Sequence, residues 1–458
     1  MTTLVARHEA LRTYFDGPEQ VVLGDGDVIV ELRDVTEDPA TDDELADRLI
    51  AELRATGVDF TSGLPLRFVL ATRSDKPAVL VAAYSHMAVD FGSAALLGRE
   101  FDQLLAGVPL PAPEHQPLDQ AEVEQSSHGR KQAANALRYW EDQLSTAPQA
   151  MCALPPPIEP GHGHRTGFLR SPAAGSALTA IASRTGASRQ AIVVAALSAL
   201  LCHRTGVQQS TFVSISSNRF RLRLREYVGT LAQDGLLALD VSVDGFDELV
   251  GRTVKASLAA YSNSIFDSTA LWSIIDGVGE RRGIAFSRDF TINDISAHLG
   301  STELDGEAPD RPASLAWVDA PPFPTVLMGN PVQLAPELHL ALTYDTARLD
   351  GAEVENLLWA VEKLLLAAAA GNVALADLTH VTGLTPFVRD EDWALVDGCW
   401  IRLSATRMLL AEAAGRAVEV TVVDGQLRAD LSPDERARAL TLIRTSDHRL
   451  AMLPTSPG

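Results

Sequence analysis

Cysteine is scarce: 458 residues contain three, Cys152, Cys202 and Cys399. An odd number without metal-ligand spacing excludes a disulfide framework and favours a reducing compartment. Basic residues are outnumbered, 38 Lys and Arg against 60 Asp and Glu, for a net charge of −22. That balance excludes a broad electrostatic footprint for nucleic acid or an anionic membrane and leaves only local patches for an anionic partner. Long apolar runs are missing. The N-terminus, MTTLVARHEALR, has no apolar signal core, and the longest strongly apolar run, residues 191–201, is too short to span a bilayer. These features read as a soluble cytoplasmic protein with neither nucleic acid nor membrane as partner. Long polar tracts are missing as well: 46% hydrophobic and 21% charged residues are a globular composition.

The chain is longer than one hydrophobic core usually organises, so two lobes are expected. Residues 153–164, ALPPPIEPGHGH, carry four prolines and two glycines between patterned regions and read as the linker. The expected organisation is an N-terminal lobe over 1–152, a C-terminal lobe over 165–385 and a small α+β extension over 386–458. His162 and His164 lack carboxylate or cysteine partners in that loop, and no metal site is assigned. Apolar runs at 66–72 and 78–84 predict strands, the second so continuous that it reads as buried on both faces. Ser93 is the expected cap of a helix carrying Leu97, Phe101 and Leu104 and ending at Gly107. Further helices are expected at 129–145, 175–185, 188–203, 246–262, 269–279 and 350–370, and strands at 211–216, 286–292 and 337–343. Asp350 and Glu353 resemble a capping box at the start of the long helix. No internal repeat is visible.

The stretch LVAAYSHMAVDFGS, residues 80–93, places His86 and Asp90 four apart at the end of a strand. A neutral imidazole at a cleft can take a proton from an attacking amine or hydroxyl. An isolated HxxxD spacing arises often by chance and more commonly describes a core histidine bonded to backbone.

Three stretches, in order, shift the reading towards function. VARHEALRTYF (5–15), YSHMAVDFGS (84–93) and SSNRFRLRLREYVGTLAQDGLLALD (216–240) resemble the RHExLRTxF, HHxxxDG and NRxxx…VGxxxNxLPLR signatures of nonribosomal peptide synthetase condensation domains. LHLALTYDTARLD (338–350) resembles the late strand that leads to the family's last helix, so the likeness runs from residue 4 to about 375. The resemblance implies an α/β (α+β) fold of two chloramphenicol-acetyltransferase-like lobes in a V, with the active site at their interface. Phosphopantetheine-tethered substrates enter such a site from opposite faces.

Carried over, His86 is the catalytic histidine and Asp90 a structural neighbour paired with an arginine. Arg7 is the expected partner and Arg12 the second candidate; five apart, they cannot share a helix face. The family's first histidine is Ser85 here, its glycine after the aspartate is Phe91 with Gly92 one place later, and its asparagine aligns with Gln233. Phe91 either narrows the acceptor channel or defines an unusual acceptor, and backbone N–H groups near Gly92 are candidates to steady an oxyanion. Asn218 and Arg219 match the NR pair, as a lobe-interface element or as a strand-end turn. Arg219, Arg221, Arg223 and Arg225 alternate, as a basic strip for an acidic carrier or as a solvated face. Asn293 and Asp294 are candidate substrate contacts, as are Phe91, Asn218, Arg219 and Gln233 in the matched motifs. Some tens of residues normally precede the first motif in this family, so either the first lobe's floor is built differently or the start lies upstream.

The function implied is a stand-alone condensation-type acyltransferase that joins a carrier-bound acyl thioester to an amine or hydroxyl in secondary metabolism. No cofactor is bound; the substrate rides on the phosphopantetheine of an acyl or peptidyl carrier protein acting in trans, and the acceptor is a small amine or alcohol. Two rivals stay open: an acyltransferase of the same fold using soluble acyl-CoA, and a catalytically silent module that recruits a partner enzyme to a carrier.

Overall fold

The computed structural model describes residues 1–458 except 18, 25–26, 60, 62, 297–309, 446–448 and 456–458. It divides into two compact units, residues 1–130 with 217–232, and residues 131–216 with 233–458.

The first unit opens with helix α1 (Thr2–Arg7), a 3₁₀ turn (Glu9–Arg12) and the hairpin β1 (Thr13–Asp16)–β2 (Glu19–Val22). Strand β3 (Val30–Asp34), helix α2 (Asp42–Thr56), strands β4 (Leu66–Arg73) and β5 (Lys76–Tyr84) and helices α3 (Phe91–Leu105) and α4 (Pro117–Gln125) follow. The three later strands form one sheet in the order β3-β4-β5, with β3 parallel and β5 antiparallel to β4. Side chains alternate along a strand. Val69 and Ala71 of β4 therefore meet Leu45, Leu49 and Leu53, one stripe of α2, whereas Leu66 and Phe68 meet Leu96 and Leu97 of α3. The result is a sheet between two helical layers.

That geometry corrects one expectation. Strand β5 is not buried on both faces: Val81 alone of its residues is fully buried, and β4 is the central strand. The continuous apolar run arises because Val79 and Val81 face α2 while Ala82 and Tyr84 face α3, on a strand whose outer edge pairs with no other in this sheet.

The second unit takes in most of α5 (Ser127–Leu144) and then runs β6 (His164–Ser171), α6 (Pro172–Thr185), α7 (Arg189–Thr205), β7 (Gln209–Ser216), β8 (Gln233–Asp240), α8 (Phe246–Ser262) and α9 (Ser268–Arg282). Strands β9 (Phe290–Ile292), β10 (Ser314–Ala320), β11 (Leu327–Gln333) and β12 (Leu338–Asp345) and helices α10 (Gly351–Ala370) and α11 (Leu378–Thr382) complete its main body. Its mixed sheet has the order β10-β6-β12-β11-β9-β7-β8. Helix α7 is capped by Ser188 and buried continuously from Ala191 to Cys202, so it is the core of the unit. No single helix among the described residues is long and apolar enough to cross a membrane. On α10 the expected stripe from Val354 to Leu365 is buried. Asp350 caps that helix, but Glu353 turns to Arg204 at 2.8 Å instead of closing a capping box.

The Pro-rich segment is irregular, yet the units do not divide there. Residues 153–164 lie inside the second unit, and Ala153 and Leu154 are part of its main apolar core. Nor is the extension a separate body. Its hairpin β13 (Trp393–Val396)–β14 (Cys399–Arg402), helix α12 (Leu403–Ala414), hairpin β15 (Thr421–Val423)–β16 (Gln426–Arg428) and helix α13 (Pro433–Thr445) enclose a small core that takes in Ile284 from the chain after α9, while Trp393 packs in the main core. Charged groups then fasten it to the rest of the second unit. Arg282 on α9 donates to Asp397 at 2.7 Å, Arg449 donates to the Cys152 carbonyl at 2.6 Å, and Arg389 donates to the Ala153 carbonyl at 3.1 Å.

Candidate active site around His86 and Asp90

Strand β5 ends at Tyr84 and the chain turns at once. The Ser85 N–H donates to the Pro65 carbonyl at 2.8 Å, and the Ser85 carbonyl accepts from the N–H groups of Ala88 and Val89, each at 3.0 Å. The Ser85 hydroxyl accepts from the Met87 N–H at 3.3 Å, so the serine that replaces the family's first histidine helps to close this turn. Ala88 and Val89 are buried against Leu4, Leu11 and Leu97. With the underside of the turn anchored, His86 and Met87 are left exposed. The His86 ring makes no hydrogen bond among the described residues, whereas its main-chain carbonyl accepts from the Thr230 hydroxyl at 2.7 Å.

Asp90 has the opposite environment. It is 2% exposed and is the N-cap of α3, accepting from the Ser93 N–H at 2.9 Å. Asp and Ser are equally good caps, and here Asp90 takes the position expected of Ser93, starting the helix at Phe91. Its carboxylate also accepts from both terminal nitrogens of Arg219, each at 2.7 Å, and from the N–H groups of Leu231 and Ala232 at 3.0 and 3.1 Å. Burial pushes the Asp90 carboxyl up, but the hydrogen bonds and charge of Arg219, helped by the Leu231 and Ser93 N–H groups, hold it below the usual carboxylate range.

Arg7 is therefore not the partner of Asp90. Its Nε lies 3.2 Å from Glu100, which also meets the buried His8 ring at 2.6 Å. Glu100 lies ten residues beyond Asp90 along α3, about 15 Å at 1.5 Å per residue, so a guanidinium bound there cannot reach the helix start. Burial holds the His8 imidazole below its ordinary pKa despite Glu100. Arg12 donates to the Leu23 carbonyl and is likewise committed elsewhere.

Arg219 arrives on the segment 217–232, which belongs to the first unit although it connects two strands of the second. The preceding Asn218 adopts φ = +53° and ties the segment to itself by donating from Nδ2 to the Leu231 carbonyl at 2.9 Å. The guanidinium further donates to the Ser93 hydroxyl at 2.8 Å and the Gly229 carbonyl at 3.1 Å, and the Gly229 N–H donates back to the Ser93 oxygen at 3.0 Å. The displaced glycine has a job in this packing. A Cβ on Gly92 would lie 3.2 Å from the Arg219 Cζ, so glycine at this place lets the guanidinium lie against the first turn of α3. Gly92→Ala is expected to destabilise the protein by about 1–3 kcal/mol, the cost of overpacking, and a thermal melt followed by circular dichroism checks it.

The arginine alternation does not form a strip. Residues 222–224 are a 3₁₀ turn, Arg219 is drawn into the Asp90 pair, and Arg223 within that turn and Arg221 and Arg225 beside it are exposed. Phe91 is 45% exposed at the start of α3. Ser85, His86, Asp90, Phe91, Gly92, Asn218 and Arg219 thus come together in the first unit. Gln233, Asn293 and Asp294 lie in the second. The Gln233 side chain is occupied with the Phe266 backbone, donating to its carbonyl at 3.2 Å and accepting from its N–H at 3.4 Å. Asn293 donates its N–H to the Gly329 carbonyl at 2.9 Å, and the Asp294 carboxylate accepts from the Ser296 N–H at 2.9 Å. No group of three or more His, Cys, Asp or Glu residues is placed to hold a metal among the described residues. The sequence reading missed the parts of Ser93, Gly229 and Thr230; their nearness to Asp90 and Arg219 in two matched motifs was the available signal.

The first unit thus carries an HxxxD element with an exposed histidine and, four residues on, a buried aspartate locked by an arginine. The condensation-domain model matches residues 1–372, and the chain belongs to that family; residues 386–458 lie beyond the match. The phosphinothricin tripeptide synthetase PhsC of Streptomyces viridochromogenes is 26% identical over 356 residues, which is 71% of this chain and 31% of the relative. The chain spans less than a third of the length of the curated relatives it matches. Among solved structures, the condensation domain of the monacolin K polyketide synthase MokA aligns with TM-score 0.64 at 17% identity, covering 82% of this chain and 89% of that one. The X-domain from teicoplanin biosynthesis aligns with TM-score 0.63 at 21% identity, covering 82% and 87%. These likenesses establish the chloramphenicol-acetyltransferase-like fold.

Proposed function

We propose that the chain is a condensation-type acyltransferase that acts on its own and joins a carrier-bound acyl thioester to an amine or hydroxyl in natural-product biosynthesis. The observation that carries this reading is the division of labour within HxxxD: the Asp90 carboxylate is fully committed to Arg219 and backbone N–H groups, while His86 is exposed with an unbonded ring. A neutral imidazole can take a proton from an attacking amine or hydroxyl. His86 takes the proton of the nucleophile as its nitrogen or oxygen attacks the thioester carbonyl. The new C–N or C–O bond forms, the tetrahedral carbon collapses with rupture of the C–S bond, and the proton passes from the imidazolium to the departing thiolate. Asp90 takes no part in the proton transfer; it fixes the start of α3 and the turn before it.

Family membership and the likeness to a tripeptide synthetase support a carrier thioester as donor. The phosphopantetheine then enters as an arm of the substrate and is not a resident cofactor. Thiol release from an acyl-loaded carrier and from the matching acyl-CoA, each with an amine or alcohol acceptor, tests the donor. Acceptor-dependent release from the carrier, undiminished by excess acyl-CoA, is expected. Equal or faster turnover of acyl-CoA would make the protein a CoA-dependent acyltransferase of the same fold.

A further inference from the structure

The segment 217–232 grips the HxxxD element at both ends. Its Arg219, Leu231 and Ala232 hold the Asp90 carboxylate, and its Thr230 hydroxyl donates to the His86 carbonyl at 2.7 Å. The two grips differ in consequence. The Asp90 end is also fixed by the helix cap and by burial, so it has redundant support. The His86 end has little: its ring makes no hydrogen bond among the described residues, and the residue is exposed together with Met87. Backbone bonds from Ala88 and Val89 to the Ser85 carbonyl close the inner side of the turn. The peptide plane that joins His86 to Met87 has its carbonyl bound by Thr230. The Thr230 bond fixes that peptide plane and with it the direction of the Cα–Cβ bond from which the imidazole extends.

We infer that Thr230 is a positioning residue for His86: its hydroxyl, through the His86 carbonyl, holds the imidazole in the orientation the acyl-transfer reaction uses. The inference rests on the proposed role of His86. Thr230 lies outside the matched HxxxD and NR residues, and neither the spacing nor the resemblance assigns it a part. Its own exposure rules out a contribution through core packing, so a change here acts on the carbonyl it binds.

The test compares Thr230→Val, which keeps the shape and removes the donor, with Thr230→Ser, which keeps the donor. Turnover and KM for an acyl-loaded carrier with an accepted amine or alcohol are measured alongside the thermal midpoint and the His86 imidazole signals in NMR. Thr230→Val is expected to lower kcat roughly two- to tenfold, the range a single neutral hydrogen bond supplies. KM and the midpoint stay unchanged, the His86 ring signals shift, and Thr230→Ser returns both kcat and the signals to wild type. An unchanged kcat with unchanged His86 signals would overturn the inference. So would a loss of kcat that accompanies a lower midpoint and is not rescued by serine, because that is a purely structural effect. Should the wild type transfer no acyl group at all, the proposed function fails, and the His86 signals decide the geometric part separately: a shift in the valine variant absent from the serine variant upholds Thr230 as the group that orients His86, and no shift refutes it.

Discussion

His86→Ala lowers the turnover of acyl transfer by on the order of 10²–10⁴-fold, the contribution of a positioned general base, and leaves the thermal midpoint where it was. Both halves of that result come from the same geometry. The ring is exposed and unbonded, so its removal strands no partner and opens no cavity; substitutions of this kind stay within about 0.5 kcal/mol of neutral. If His86 only orients the nucleophile, the loss is smaller, because positioning survives in part through other contacts. Steady-state kinetics and a melt on the same preparation separate chemistry from folding. A fall in both quantities together would mean that the histidine is part of the scaffold.

The second large effect belongs to the scaffold. Arg219→Ala leaves the carboxylate of Asp90, 2% exposed, without its bidentate partner and removes the donors to Ser93 and the Gly229 carbonyl. Stranding one member of a buried ion pair typically costs about 3–5 kcal/mol, and activity falls with it because the turn that carries His86 leads directly into the Asp90 cap. Asp90→Ala lowers stability for the same reason, with the guanidinium stranded instead. The double variant is expected to be less destabilised than the sum of the two, which a double-mutant cycle in chemical denaturation measures. The pair also has a pH signature. The folded-state pKa of Asp90 lies below its ordinary value, so the folded protein binds fewer protons there than the unfolded chain. The pair's stabilisation is complete above the ordinary carboxylate range and is lost as pH falls through the lower folded-state value. The stability gap between wild type and Arg219→Ala should therefore hold at neutral pH and shrink below about pH 4.

The contrast between the two partners of Asp90, expected and observed, shows how far a sequence carries such a site. The histidine was legible because an apolar strand run followed by a turn dictates where residue 86 emerges, and local patterning determines that much. The long helices were legible for the same reason: α8 matches its expected bounds, and the buried stripe of α10 lies at helical spacing. Arg219 is separated from Asp90 by 129 positions, and no local period relates them. Arg7 and Arg219 both lie in matched motifs, and only the length of α3, which carries Glu100 away from Asp90, decides between them. The cap was illegible on different grounds, since Asp90 and Ser93 have equal intrinsic preference and tertiary contacts rank them. Gln233 shows the converse. Its alignment with a signature asparagine suggested substrate, yet its amide is matched to the Phe266 backbone, a pairing that depends on where the loop between α8 and α9 folds back. The proline-rich segment marked irregular chain correctly, but composition could not reveal that its first residues plug an apolar core.

The most direct measurement of the central claim is mass spectrometry of the products formed when an acyl-loaded carrier is mixed with a panel of amines and alcohols and either the wild-type protein or His86→Ala. The account predicts a condensed product, amide or ester, that appears with the wild type and is lost or strongly reduced with the variant. Carrier binding by both proteins with no product across the panel would contradict it and leave a recruiting module in place of a condensing enzyme.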